Sequence, residues 1–208
     1  MTKLVYPFTE EQVRALHAGE SVSITGPIHT GRDKFHKWFA DGKPIKVDFR
    51  DGAIYHCGPV IVKDADGNWK VVAAGPTTSV RENAYEPAFI AASGVRLVIG
   101  KGGMDDATLA AMKKHGAVYI QAVGGAAALS AASVRRVSGV DYLEEFGAAE
   151  ACWHFDVEGF TGVVAMDSHG RSLFSEVASA SKEKLAALLN PPRPSSPALS
   201  GLNASTKR

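Results

Sequence analysis

Apolar and polar positions along the chain recur with two different periods. Val22 and Ile24 alternate with polar neighbours over residues 20–25, which predicts a strand that Gly26-Pro27 then breaks. Phe35, Trp38 and Phe39 share one face of a helix predicted over 32–40, with Gly42 as its stop. Thr9-Glu10-Glu11-Gln12 has the capping-box spacing, so a short helix is expected from there to about His17. Residues 53–62 read as strand, Asp66-Gly67 as a hairpin turn, and 69–73 as the returning strand. A helix is expected over 81–92, a short apolar strand over 95–99, and a helix over 105–115 closed by Gly116. Residues 118–123 form another predicted strand, and Gly124-Gly125 opens a small-residue helix, AAALSAA. Strands at 153–155 and 162–166 and a helix over 182–189 complete the pattern. The whole reads as mixed α/β.

The last stretch, PPRPSSPALSGLNASTKR, changes character. Rich in Pro and Ser, it has too few large apolar groups to offset the entropy of ordering it. The expectation is one domain over 1–190 and a disordered tail over 191–208, with no internal repeat. A chain of 208 residues is long enough to bury a proper core.

Hydrophobic residues make up 45% and charged residues 22%, ordinary values for a globular chain, and the net charge is +1. That balance lacks the basic surplus of a dedicated nucleic-acid binder. No apolar run is long enough for a membrane span, and the first residues, MTKLVYPFTEEQ, lack the apolar stretch of a secretion signal. The two cysteines, Cys57 and Cys152, make no disulfide framework. A cytoplasmic protein is expected.

Candidate chemistry sits on three glycine-bounded turns that follow strand-like runs: GPIHTGRD, GPTTSVR and GKGGM. Each offers a cation just past a tight turn, namely Arg32, Arg81 and Lys101. Loops at strand ends are where α/β proteins build sites. Three cations converging on one pocket would suit a small dicarboxylate, because Arg grips a carboxylate with two parallel bonds and Lys adds a movable charge. Plainer readings stand beside this one. Each cation alone fits an ordinary surface residue, Thr77 or Thr78 fits a helix N-cap, and GKGG fits a simple turn. His29 and His36 read as polar or packing residues. GKGG also has the spacing of an RNA-binding KH loop, but a strand, not a helix, precedes it. Val95 and Gly102 break a Walker phosphate loop, and neither HExxH nor GxSxG occurs.

The segments GPIHTGRDKFHK, IYHCGP, GPTTSVR and VIGKGGM, in this order and spacing, resemble a known family. They are similar to the β subunit of two-subunit L(+)-tartrate dehydratase, to class I fumarate hydratase β subunits, and to the C-terminal domain of the one-chain enzymes. The likeness spans roughly residues 3–180, and GPTTS followed by GKGGM tilts it toward tartrate dehydratase. It implies a swivelling β/β/α domain, a mixed sheet with helices packed against it. It implies a hydro-lyase acting on a 2-hydroxy dicarboxylate, with a 4Fe–4S cluster held by an α-subunit partner in a heterodimer or heterotetramer. Under this resemblance Thr77 is the base, Lys101 and Arg81 bind or polarise the substrate carboxylates, and Arg32 is a further carboxylate ligand. Cys57 and Cys152 are then core thiols. Glu82 departs from the Met of many relatives and is expected in a helix first turn, facing solvent. A module that only binds dicarboxylates is the alternative of another class.

Overall fold

The computed structural model describes residues 1–189, so the tail expected over 191–208 lies outside the described residues. The chain begins with strand β1 (Thr2–Val5) and helix α1 (Glu10–Arg14), then β2 (Ser21–Thr30) and α2 (Asp33–Ala40). Next come β3 (Ala53–Tyr55) and a hairpin of β4 (Val60–Lys63) and β5 (Trp69–Ala73). A 3₁₀ turn over Ser79–Glu82 leads into α3 (Glu86–Ser93), β6 (Leu97–Gly100), α4 (Asp106–His115) and β7 (Val118–Gln121). The remainder is α5 (Ala127–Ala132), β8 (Val134–Asp141), α6 (Leu143–Phe146), β9 (Cys152–Met166) and α7 (Leu173–Leu189). Met1–Ser175 forms one compact unit; from Glu176 to Leu189 the chain continues as helix with exposed side chains.

Strands β1, β2, β3, β6 and β7 run parallel in that spatial order, and β9 is antiparallel to its neighbours. β9 pairs with β7 through Tyr119↔Met166 and with β2 from Ser21↔Val163 to His29↔His154. It therefore closes β2, β3, β6, β7 and β9 into a ring, and β8 pairs with its first half. Alternate residues of each strand feed two separate cores. Ala53, Tyr55, Leu97, Ile99, Val118 and Ile120 point into one, with α1 and the β4–β5 hairpin packed on it. Ile54, Val98 and Tyr119 point into the other, beneath α2, α3 and α4. Burial on both faces explains why these strands read as unbroken apolar runs.

The capping box at Thr9 is formed as expected, although α1 stops at Arg14. Gly116, left-handed, closes α4. Several expectations are corrected. Gly26-Pro27 does not break β2: the register shifts between Ile24 and Gly26, and Gly26 adopts φ 137° to absorb the bulge. The strand expected over 53–62 splits into β3 and β4 around Gly58-Pro59. The helix expected over 81–92 divides, because the 3₁₀ turn ends first and α3 starts at Glu86 with Pro87 in its first turn. The two strands expected after residue 152 are one, α7 begins at Leu173, and β8 carried no readable alternation.

Gly26 is the most constrained of these positions. A Cβ there would lie 2.5 Å from Tyr6 Cβ, in a backbone conformation that disfavours any side chain. Gly26→Ala should destabilise the chain by roughly 2–4 kcal/mol in urea denaturation. A loss below about 0.5 kcal/mol would mean that the bulge is not the point where β2 bends.

Candidate functional site

Because the five strands are parallel, their C-terminal ends open on one edge, where ligand sites of such sheets gather. Arg32 follows β2, His56-Cys57-Gly58 follow β3, and Lys101 follows β6. The turn carrying Thr77 and Arg81 is laid across these ends by main-chain bonds. The Thr77 N–H donates to the His56 carbonyl at 2.7 Å, and the Lys101 N–H to the Thr77 carbonyl at 3.3 Å. The Ser79 N–H donates to the Lys101 carbonyl at 3.0 Å, and Pro76 bridges to Cys57. Arg32 reaches the same place from the other side: a Cβ on Gly58 would lie 2.5 Å from its Nη1.

The cations differ in what already holds them. Arg32 donates to the Ala149 carbonyl at 3.0 Å and pairs with Glu150 at 3.1 Å. Arg81 pairs with Asp33, the first residue of α2. Among the described residues no carboxylate pairs with Lys101, whose stem lies 3.6 Å from the Cβ position of Gly124. Two grooves lie elsewhere, one between the β4–β5 hairpin and β8, the other between α5 and the bend of β9. Arg32, Thr77 and Lys101 are partly buried, and Arg81 is exposed.

Beneath them lies a buried polar cluster. Glu86 Oε2 is 2.9 Å from His36 Nε2 and 3.3 Å from His56 Nε2, with all three side chains fully buried. Neither imidazole makes a well-aligned hydrogen bond to it, so the attraction to His36 is mainly charge on charge. His36 Nδ1 lies 3.1 Å from the Arg32 carbonyl, His56 Nδ1 lies 2.9 Å from Ser79 Oγ, and Ser79 Oγ accepts from Tyr119. Burial would discharge both partners, but the pairing outweighs it: His36 is pushed up and Glu86 held down. Burial pushes His56 the other way, toward neutrality. Glu82 is not solvent-facing as expected. It is 1% exposed, with Oε2 3.6 Å from His36 Nδ1, because the 3₁₀ turn tucks it against α2. Burial, reinforced by a bond to Asp33, pushes its carboxyl up to about 8 against the pull of His36. His29, by contrast, lies 2.8 Å from His154, away from this cluster, and burial pushes it down to about 4.

Residues 2–177 match the family described as Fumarase C-terminus. The chain belongs to the Fumarase C-terminus family. It is 51% identical over 185 residues to a protein of Geobacillus stearothermophilus provisionally named fumarate hydratase class I. That match covers 89% of this chain but only 36% of the relative, so the chain spans about a third of that protein. It is 40% identical over 186 residues to a Methanocaldococcus jannaschii protein provisionally named L(+)-tartrate dehydratase subunit beta, covering 87% of this chain and 95% of the relative. It is 35% identical to the Escherichia coli L(+)-tartrate dehydratase subunit beta over 175 residues, 83% of this chain and 86% of the other.

An iron–sulfur cluster needs several thiolates gathered at one place. Cys57 lies in one core and Cys152 in the other, each no more than 1% exposed. Burial pushes the Cys57 thiol up to about 12 and raises that of Cys152 as well. This family member's own cysteines do not fit a cluster. Sequence reasoning passed over His56, Ser79 and Glu86 as functional positions. One signal was present: Glu86, Phe89 and Ile90 fall on one helix face, which puts a carboxylate among core residues.

Glu82 gives a pH test. Its folded pKa lies above its unfolded value, so it weakens folding as pH rises from about 4.5 to 8 and by a constant amount above. Glu82→Gln, whose amide can still donate to Asp33, should match wild type near pH 4. It should exceed it by roughly 1–3 kcal/mol at pH 8.5 in urea denaturation. Equal gains at both pH values would show that Glu82 carries no raised pKa.

Proposed function

We propose that the chain is the β subunit of a hydro-lyase that dehydrates a 2-hydroxy dicarboxylate, L-tartrate to oxaloacetate, together with a cluster-bearing α subunit. The observation that carries the reading is the docking of the 75–81 turn against Lys101 at the C-terminal edge of the parallel strands. It sets a hydroxyl-bearing residue, Thr77, beside a lysine that no described carboxylate neutralises. In this reading Thr77, as an alkoxide favoured by the nearby cations, takes the proton from the carbon next to a substrate carboxylate. Lys101 stabilises the negative charge that develops there, and Arg32 and Arg81 orient the carboxylates. The neighbouring carbon loses its hydroxyl as hydroxide, which is protonated to water, and the enol left by tartrate rearranges to oxaloacetate.

Two features support a partner. Within the chain the four residues are at most partly buried, whereas cations act most strongly on developing charge where water is excluded. Both arginines are already paired with carboxylates, so a substrate must displace Glu150 and Asp33 or bind beside them. A second reading, malate and fumarate as substrates, is favoured by the 51% identity to the provisional class I fumarate hydratase.

Coexpression with the α subunit, anaerobic reconstitution and side-by-side assay of tartrate, malate and fumarate decide between them. Lys101→Ala should cut kcat/KM for the preferred acid by about 100-fold without changing thermal stability. Turnover within threefold of wild type would remove Lys101 from the site. Replacing Cys57 and Cys152 together by Ala should leave the iron content of the complex unchanged. Loss of iron from an intact complex would make one of them a ligand.

A further inference from the structure

We propose that Glu86 is a positioning residue: through His36 and His56 it fixes the main-chain segments that carry Arg32, Thr77, Arg81 and Lys101. The proposal deepens the functional reading above, and only its kinetic arm rests on that reading.

Each imidazole faces Glu86 with Nε2 and a site segment with Nδ1. On His36 that second nitrogen lies 3.1 Å from the carbonyl of Arg32. A carbonyl only accepts, so Nδ1 carries a proton, and Nε2 lies against the Glu86 carboxylate, which makes His36 an imidazolium. On His56 the second nitrogen lies 2.9 Å from Ser79 Oγ. Tyr119 donates to that oxygen, which leaves the Ser79 proton for His56 Nδ1 and the His56 proton on Nε2, toward Glu86. The tautomer is thus set by the pairing.

From there the connections are main-chain. His56 accepts from Thr77, Lys101 donates to Thr77, and Ser79 donates to Lys101. Arg81 lies in the same 3₁₀ turn as Ser79. One buried carboxylate is therefore two contacts from the Arg32 segment and from the 77–81 turn, and three from Lys101. Gly100 leaves no slack, since a Cβ there would lie within 2 Å of Ser79 Oγ, at 1.9 Å. A buried ion cluster gains little stability over an apolar replacement, so its placement under the turns, not in the middle of a core, points to geometry as its use. The three donor atoms also lie within 4.8 Å of one another, a spacing that would admit a divalent cation.

The test uses the full chain and its isosteric variant Glu86→Gln. Amide exchange at Thr77, Ser79 and Lys101 should quicken at least 10-fold in the variant, while Val118, in β7, stays within about twofold. Uniform acceleration, or none, overturns the proposal. Should the variant not fold, the ¹⁵N shifts of the wild-type imidazoles decide: His36 protonated on both nitrogens and His56 on Nε2 at pH 7. A neutral His36, or a His56 protonated on Nδ1, overturns it. So does one equivalent of zinc or another divalent metal in the purified wild-type chain. With the α subunit, Glu86→Gln should raise KM for the preferred acid about 10-fold, by displacing carboxylate-binding groups, and Glu86→Asp should recover part of that loss. If the wild-type complex dehydrates none of the acids, the functional reading fails, while amide exchange still decides the role of Glu86.

Discussion

Strand β9 has to satisfy two partners at once. Its 15 residues pair with β2 along most of their length and with β7 at their C-terminal end, and this double pairing closes the ring. With the ring closed, the parallel strands β2, β3, β6 and β7 cannot slide past one another without breaking β9. Their C-terminal ends are therefore held at one edge, and so are Arg32, His56 and Lys101, which follow those ends directly or by two residues. Gly162 shows how tightly the ring is drawn, since a Cβ there would lie 2.4 Å from Ile120 Cγ2.

The edge must then be filled. The turn 75–81 comes from outside the ring, after the β4–β5 hairpin, and needs partners for its backbone groups. It finds them on the segments after β3 and β6, as Thr77 and Ser79 bond to His56 and Lys101. Side chains anchor the same turn from below through Ser79, His56 and Tyr119. Gly100 makes this approach possible because it presents only hydrogen to the Ser79 hydroxyl.

Charge follows the same geometry. Carboxylates meet the two arginines within the chain, and Glu86 balances His36 in the interior, so buried charge is compensated before any ligand arrives. Lys101, which no described carboxylate meets, stays available at the surface. In one relative the chain matches only 36% of a longer protein.

Local chemistry alone determined much of this. The capping box at Thr9, the Asp66-Gly67 hairpin and the Gly116 cap each depend on residues within a few positions, and all are present. The three glycine-bounded turns with their cations were equally legible, because strand ends and turn residues are local signals. The sequence did not disclose that Gly26-Pro27 lies inside a strand, since a bulge is defined by the register of two strands. It did not disclose β8 either: none of its residues is fully buried, and its pairing with β9 is what makes it a strand. Glu82 looked like a solvent-facing acid at a helix start and is buried. His36, His56, Ser79 and Glu86 looked unrelated, and they meet only when α2, α3 and the end of β3 pack together. The charge state of a carboxylate or an imidazole depends on what surrounds it in three dimensions, and those neighbours lie up to 50 positions apart in the chain, from His36 to Glu86.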